Sequence, residues 1–466
     1  MSRLLIKNAD WIVTVDPQRR IFRNGSIAIE RDRFAFVGKA SDVPASFHPD
    51  QVIDASGLLV TPGFIDTHVH NTQQLGRGLG DECDIPLQLL ERLYGYESVL
   101  GSEDAYLAAK LCQMELIKAG TTCFLDPSSY FPDETARAAG ENGMRGIVSR
   151  TAFDIHRTSI GEMPSGRKTF RETIEEAVER AEATVLKHNN THDGRVRAWF
   201  ALRILAGCSD ELCRRIRALA NKHGVPIVMH ASESRDEIVA SRLTSGFSDV
   251  ERLEELGVLG PDMVMIHMGW ATPREIELAR RYGFKISHTP ASSYRIAMGD
   301  QVHGKFPEMA ELGITVSLSC NSAMSSNYMD MVRLMNVGAG AMRSVRVSAF
   351  IFPPEQMIEM ATLNGAIAVG QANEIGSIEV GKKADLAAFD TRRPEWRPML
   401  NPLSNLVHSS RGGAHTVVVD GKVLVENSLA LFVDEGELLR ECQRRGMDIA
   451  QRSELIPKLR SPWPCC

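Results

Sequence analysis

The stretch TPGFIDTHVHNTQQ, residues 61–74, decides the fold because it places two histidines directly after an apolar run. The apolar runs LLV, directly before this stretch, and GFI, within it, predict a buried strand that is interrupted at Pro62 and Gly63. Side chains two positions apart point to the same side of a strand, so His68 and His70 would project together from its end. Their imidazole nitrogens could then hold one metal ion. An isolated pair of this kind is more often two surface histidines in a loop, so the rest of the chain has to decide.

The composition is that of an ordinary globular protein, with 43% hydrophobic and 24% charged residues in a chain of 466. A net charge of −6 argues against nucleic acid or an anionic membrane as a partner. The opening MSRLLIKNADWIVTVD is too polar for a signal peptide, and no apolar stretch approaches the ~18 residues that span a bilayer. The nine cysteines lack CxxC spacing, which indicates reduced thiols. We therefore expect a cytoplasmic protein.

Both ends of the chain have the pattern of antiparallel strands. The first segment alternates and turns repeatedly, and VVVDGKVLVEN near the other end contains Asp420-Gly421, a hairpin signal. Two such ends around a long middle predict one small β-sandwich domain built from both termini. We assign residues 1–58 and 376–466 to this domain, the second part with a C-terminal helical tail, and residues 59–375 to a separate central domain.

The central domain alternates strands with helices. RVRAWFAL predicts a strand, and SDELCRRIRALANKHG predicts a helix with Ser209 as N-cap and Gly224 as its end. Strands rich in branched apolar residues, separated by helices of this length, indicate a parallel sheet. We count about eight strands before residue 325, which favours an α/β fold with a closed TIM (β/α)₈ barrel.

Three further histidines end predicted barrel strands. His230 ends VPIVMH, His267 ends MVMIH and His288 ends FKISH. In a barrel these strand ends meet at one rim, where active sites lie. A single histidine of this kind is well explained as a hydrogen-bonded core imidazole. Five at the ends of parallel strands instead predict a metal site.

Several motifs resemble the amidohydrolase superfamily, in particular its branch of S-adenosylhomocysteine, guanine and cytosine deaminases and triazine hydrolases. The resemblance rests on TPGFIDTHVH, HASE at 230–233, IHMGW at 266–270, SHTPAS at 287–292 and the ending NEIGSIEVGKKADLAAFD. It covers nearly the whole chain. It is specific for the superfamily and its fold, a barrel with a β domain made of both termini, but not for the substrate.

The resemblance implies a role for each matching residue. His68, His70 and His230 would hold one divalent metal ion, zinc or alternatively iron. Glu233 would shuttle a proton from the metal-bound water to the leaving group, and His267 would polarise that water. His288 matches a position near the site, and we assign it to substrate binding. The chemistry is sound by itself, because a metal lowers the pKa of water from about 15.7 to near 7.

One departure from the family concerns the end of the eighth strand. The family's metal-binding aspartate falls on Asn321, within SLSCNSAMSSNYMD. Asparagine cannot act as a base and is a weaker metal ligand through its amide oxygen. Either Glu233 is the sole acid and base, which suits substrates with a good leaving group, or the chain is catalytically impaired. The presence of three histidines together with Glu233 favours the first reading.

Other departures concern the substrate. Arg203 stands where deaminases of this branch often carry a histidine, and it could bind a carboxylate or carbonyl group bidentately. The alternative is an ion pair with an acid at the barrel rim. The same strand lacks the lysine of binuclear relatives, which favours a single ion. Gln73 and Arg77 lie in a long segment after the first strand that would cover the substrate.

We therefore expect a mononuclear hydrolase that attacks a carbon of a nitrogen-containing cyclic substrate by metal-bound hydroxide. It would release ammonia, an amine or another leaving group, from a small molecule that carries an oxygen anion or acceptor. The alternatives are a cyclic amide or amide hydrolase of the same superfamily, and a catalytically impaired metal-binding or scaffold protein. Relatives are often oligomers, which implies a homodimer or homotetramer.

Overall fold

The computed structural model describes residues 3–85, 88–155, 157–158, 161–162 and 172–459. Its centre is a barrel of eight parallel strands, each hydrogen-bonded to the next in chain order. The last strand meets the first through a hydrogen bond of 3.3 Å from the Thr67 N–H to the Leu318 carbonyl, and through a bridge between Val69 and Asn321. This confirms the predicted TIM barrel. Its strands are Phe64–Asp66, Thr121–Leu125, Arg145–Ala152, Val196–Leu202, Ile227–Ala231, Met263–His267, Lys285–His288 and Val316–Leu318.

Helices connect the barrel strands and cover their outer side. The predicted helix after the fourth strand spans Asp210–His223, where the Ser209 hydroxyl accepts the Leu212 N–H at 3.1 Å and Gly224 has a φ of 63°. Both predicted ends are confirmed, because caps are set by local hydrogen bonds and backbone angles. The other helices that follow barrel strands are Ser102–Lys118, Pro132–Asn142, Ile174–His188, Arg235–Ser245, Asp249–Glu255, Pro273–Tyr282, Pro290–Arg295, Asp300–His303, Phe306–Glu311, Met331–Arg346, Pro354–Ala361 and Leu363–Ala368.

Strands from both termini form a separate mixed sheet of nine strands, with an apolar core of its own. Leu58–Pro62 joins the two halves, since it pairs in parallel with Arg3–Val13 and antiparallel with Leu386–Asp390. The hairpin at Asp420-Gly421 forms as expected, with φ angles of 53° and 75°. The remaining strands are Ile21–Glu30, Arg33–Lys39, Gln51–Asp54, Thr416–Val419, Lys422–Glu426 and Leu429–Ala430.

The C-terminal helix, Glu435–Arg452, packs on the barrel side of the molecule. It contacts helix Ser102–Lys118 and the helical turn Asn71–Gly76, which directly follows the HxH histidines. Its Arg452 donates to the buried Asp104 carboxylate at 2.9 Å. The tail therefore supports the rim segment that includes the helical stretches Gln88–Leu93 and Tyr94–Glu97. Among the helices described, none combines the length and apolar character needed to cross a membrane.

Candidate active site

Imidazoles from four histidines meet at the carboxyl ends of the barrel strands. The Nε2 of His68 lies 3.0 Å from the Nε2 of His70 and 3.3 Å from the Nε2 of His230. Potential ligand atoms of His68, His230 and His267 also lie within 4.8 Å of one another. The structure thus brings together the three predicted metal ligands, with His267 beside them.

All four histidines are held in the form that binds metals. Burial, and then the neighbouring imidazoles, lowers the pKa of His68 and His70 well below the usual value, and burial lowers that of His230 to about 3. The same effects lower the pKa of His267. The Nδ1 of His230 lies 2.9 Å from the carbonyl oxygen of Arg203, which leaves its Nε2 lone pair to the cluster. Converging neutral imidazoles with such an outer partner fit a divalent metal ion.

Glu233 adds a carboxyl group to the edge of this cluster. Its Oε1 lies 3.4 Å from the Nε2 of His267, whose Nδ1 is 2.9 Å from the Thr289 hydroxyl. Burial raises the pKa of Glu233 to about 7, against the attraction of Arg203. A carboxyl with that pKa can both accept and release a proton near neutral pH, as acid–base catalysis requires.

Asn321 braces the two HxH histidines through its main chain. Its N–H donates to the His68 carbonyl at 2.9 Å, and its carbonyl accepts the His70 N–H at 2.8 Å. Its φ of 69° is left-handed, a conformation that asparagine tolerates better than most residues. The side-chain amide donates to the Ser292 hydroxyl at 3.3 Å and lines the cavity above the cluster.

Two buried aspartates near the cluster were not anticipated from the sequence. The Asp66 carboxylate accepts the N–H groups of His68 at 3.2 Å and Cys320 at 3.1 Å, and thereby joins the first strand to the segment after the last. Asp126 accepts the N–H of Asn71 at 3.3 Å. Burial raises the pKa of each aspartate to about 7. The signal was present in FID and FLD, where an acid ends an apolar strand.

Arg203 lines the cavity, but its charge is already matched. Its Nη2 lies 3.2 Å from the Glu97 carboxylate, and the two side chains are only 6% and 4% exposed. Burial opposes the Arg203 cation, but the charge of Glu97 outweighs it, so the pKa of Arg203 is raised. Glu97 also accepts the Gln73 amide at 2.9 Å. The structure therefore contains the ion pair with a rim acid that the sequence left as the alternative, and Glu97 itself carried no sequence signal.

The structure does not bring Arg77 or His288 to the cavity. The side chain of Arg77 is 43% exposed and pairs with Glu115. The His288 ring is buried against Phe306, with ring centroids 3.7 Å apart, and burial lowers its pKa to about 3. Both were expected to contact substrate. The outward path of the segment after His70 and the packing of the seventh strand end place them elsewhere.

The cavity over the histidines has a volume of about 50 Å³. Its polar lining includes His70, Gln73, Arg203, Glu233 and Asn321, and Leu89, Leu93 and Tyr94 are among its other lining residues. Ligand pockets typically have roughly 300 to 1,000 Å³.

An eight-stranded parallel barrel with imidazoles converging at its carboxyl-end rim defines a metal-dependent hydrolase type of site. Residues 59–424 match the amidohydrolase family. A 5'-deoxyadenosine deaminase of Methanosarcina acetivorans is 30% identical over 456 residues, which are 97% of this chain and 100% of the relative. The chain belongs to the amidohydrolase family. It is a deaminase-like enzyme that acts on non-peptide C–N bonds.

Solved structures agree with this fold. A zinc-bound adenosine deaminase from Xanthomonas campestris superposes with a TM-score of 0.89 at 24% identity, over 97% of this chain and 99% of the other. A zinc complex of an atrazine chlorohydrolase from Arthrobacter aurescens TC1 gives 0.87 at 22% identity, over 95% of this chain and 100% of the other. At these identities the likeness shows the fold alone.

Proposed function

We propose that this chain is a mononuclear metal-dependent hydrolase that removes an amino group from a carbon of a nitrogen-containing heterocycle. The observation that carries the proposal is the convergence of His68, His70 and His230, with Nε2 separations of 3.0 and 3.3 Å, beside Glu233, whose side chain is 15% exposed. Adenosine-like compounds are the first candidate substrates, because the 30% identical relative is named for 5'-deoxyadenosine.

The three imidazoles would hold one divalent ion, for which we propose zinc, with iron as the alternative. Such an ion acts as a Lewis acid and lowers the pKa of water from about 15.7 to near 7. The neutral, buried state of the histidines supports this assignment. We also propose that the Asn321 side chain approaches the ion through its amide oxygen, because its amide nitrogen donates to Ser292.

Glu233 would first accept and then donate the proton that is transferred in the reaction. It would accept a proton from the attacking water and deliver it to the nitrogen that leaves as ammonia or an amine. With Asn321 in place of a carboxylate, no base from the eighth strand end shares this work. His267, fixed by Thr289 on its Nδ1 side, would stabilise the oxyanion that develops at the attacked carbon.

For substrate recognition we propose Arg203 and Gln73, and leave out Arg77 and His288. The sequence led us to expect a substrate with an oxygen anion or acceptor. Because Glu97 neutralises Arg203, we now favour a neutral ring with an acceptor over an anion. Within the described residues, the Arg203 Nη1 and the Gln73 Oε1 are buried without a hydrogen-bond partner. A donor and an acceptor on two side chains that line one cavity would suit a ring that offers an acceptor and an N–H group.

A second candidate follows from Asn321. Loss of the carboxylate weakens proton removal from water, which favours substrates with a better leaving group than ammonia, such as a substituted triazine. The cyclic amide hydrolase stays an alternative on the same ground. The cytoplasmic location, the dimeric or tetrameric assembly and the division at residues 59 and 375 also stay proposals.

The test combines metal analysis with turnover. We expect one ion per chain in the wild type and in Glu233→Gln, and loss of the ion in His68→Ala. The control His415→Ala, next to the terminal-sheet strand Thr416–Val419, should keep the ion. Ammonia release would be measured with adenosine, 5'-deoxyadenosine and S-adenosylhomocysteine, and product formation with atrazine. Glu233→Gln should lower kcat about 10²- to 10⁴-fold. A folded wild type without metal, or equal metal in His68→Ala, would refute the proposal.

A further inference from the structure

The short loop that carries Glu233 is held by two buried carboxyl groups. The N–H of Glu233 donates to the Glu237 carboxyl at 2.7 Å, and the N–H of Ser232 donates to the Asp249 carboxyl at 3.4 Å. Glu237 is 3% exposed and Asp249 is 1% exposed. Consecutive backbone donors are thus anchored to two different side chains, one on each of two helices.

These two carboxyl groups are also hydrogen-bonded to each other. A hydrogen bond between carboxyl groups requires one of them to carry a proton, because two carboxylates in contact repel. Burial is the main reason that the pKa of Glu237 lies well above its usual value and that the pKa of Asp249 rises to about 6. One proton shared between the two groups would meet this requirement.

The loop needs such anchors because its backbone is in an unfavourable conformation. Ser232 has a φ of 50°, which residues other than glycine rarely adopt. Its hydroxyl donates to Glu275 at 3.0 Å, and its carbonyl accepts the Trp270 N–H at 3.0 Å. Strained residues persist where the surroundings over-determine them, and they cluster at functional sites. The conformation of this backbone sets the direction of the Glu233 side chain, which contacts His267 in the site.

We propose that Glu237 and Asp249 form a proton-sharing carboxyl pair that positions Glu233 for proton transfer. The inference rests on the proposed function only in giving Glu233 that task. Both are positioning residues: they act on the reaction through the main chain of Ser232 and Glu233. The two helices that carry them, Arg235–Ser245 and Asp249–Glu255, would thus be coupled to the reacting groups.

A double-mutant cycle of amides tests this arrangement. In Glu237→Gln the new amide oxygen can accept the Glu233 N–H while the amide nitrogen donates to Asp249. In Asp249→Asn the corresponding bonds to Ser232 and Glu237 can form. In the double variant, two amide oxygens that accept the backbone N–H groups leave two amide nitrogens facing each other, so one anchor must be lost.

We expect kcat of each single variant to stay within about threefold of the wild type, because each keeps all of these hydrogen bonds. The double variant should lose about 100-fold in kcat with KM little changed, since a misplaced catalytic group costs that much. All variants should keep their metal. The control is Glu251→Ala, on the helix that carries Asp249. This change removes the 3.0 Å hydrogen bond from the Ser248 N–H to the Glu251 carboxylate but leaves the loop of Glu233 intact, so kcat should be unchanged.

Backbone amide exchange of the 231–234 peptide, followed by mass spectrometry, gives a readout that is independent of turnover. It should be slow in the wild type and both single variants and faster in the double variant. If the wild type turns over none of the substrates, the proposed function fails and the exchange pattern alone decides the anchoring. A double variant with wild-type exchange, or with wild-type kcat in an active enzyme, would overturn the inference.

Discussion

Removal of Glu97 should destabilise the protein more than its position near the rim suggests. The Arg203 Nη2 and the Glu97 carboxylate are 3.2 Å apart and nearly inaccessible to water. At that distance the attraction is about 5 kcal/mol for an effective dielectric constant near 20, against about 1.3 kcal/mol in water. Glu97→Gln keeps the shape but leaves the Arg203 cation buried alone. Because breaking a buried pair typically costs about 3 to 5 kcal/mol, we expect that loss in the free energy of unfolding.

The assay is urea unfolding of the metal-loaded protein. Arg203→Met should lose a similar amount, while the double variant should recover most of the loss, because no uncompensated charge is left. The matched control is Glu277→Gln, which breaks an exposed ion pair with Arg280. The side chains of Glu277 and Arg280 are 48% and 56% exposed, so this change should lower the free energy of unfolding by less than about 1 kcal/mol. If Glu97→Gln costs no more than the control, the ion pair does not hold Arg203, and an anionic substrate becomes the better interpretation.

Three further predictions concern single positions. Asn321→Asp should fold normally and retain its metal longer against a chelator, whereas Asn321→Val should lower Tm, because a β-branched residue is strained at a φ of 69°. Asp300→Asn should raise Tm more at pH 8 than at pH 5. Burial raises the pKa of Asp300 from 3.8 to about 8 in the folded chain, so the unfolded chain loses this proton at lower pH. The stability of the wild type therefore falls as the pH rises between these two values. An equal shift at both pH values would contradict this. Gly421→Ala should destabilise the terminal hairpin by at least about 1 to 2 kcal/mol, measured by thermal unfolding, since its φ is 75° and a Cβ would lie 1.9 Å from the Arg31 carbonyl oxygen.

The features that were predictable from the sequence are those set by short-range interactions. Ser209 and Gly224 delimit a helix through one side-chain hydrogen bond and one left-handed residue. The Asp420-Gly421 turn selects a hairpin through its own φ angles. The strand count led to the barrel, and the barrel brings four of the five strand-end histidines together at one rim, while His288 packs against Phe306. The convergence of these imidazoles was therefore predictable, although they are up to 199 positions apart in the chain, from His68 to His267.

The surroundings of the cluster depend on the paths of the connecting segments, which no local pattern specifies. Glu97 lies 106 positions from Arg203, and only the course of the segment after the first strand brings it to the guanidinium group. The same course carries Arg77 outward to Glu115. The sequence by itself determined the barrel, the terminal sheet and the histidines at the rim. Only the tertiary structure decided that the Arg203 charge is neutralised and that two buried carboxyl groups hold the loop of Glu233, because long-range burial and pairing set both.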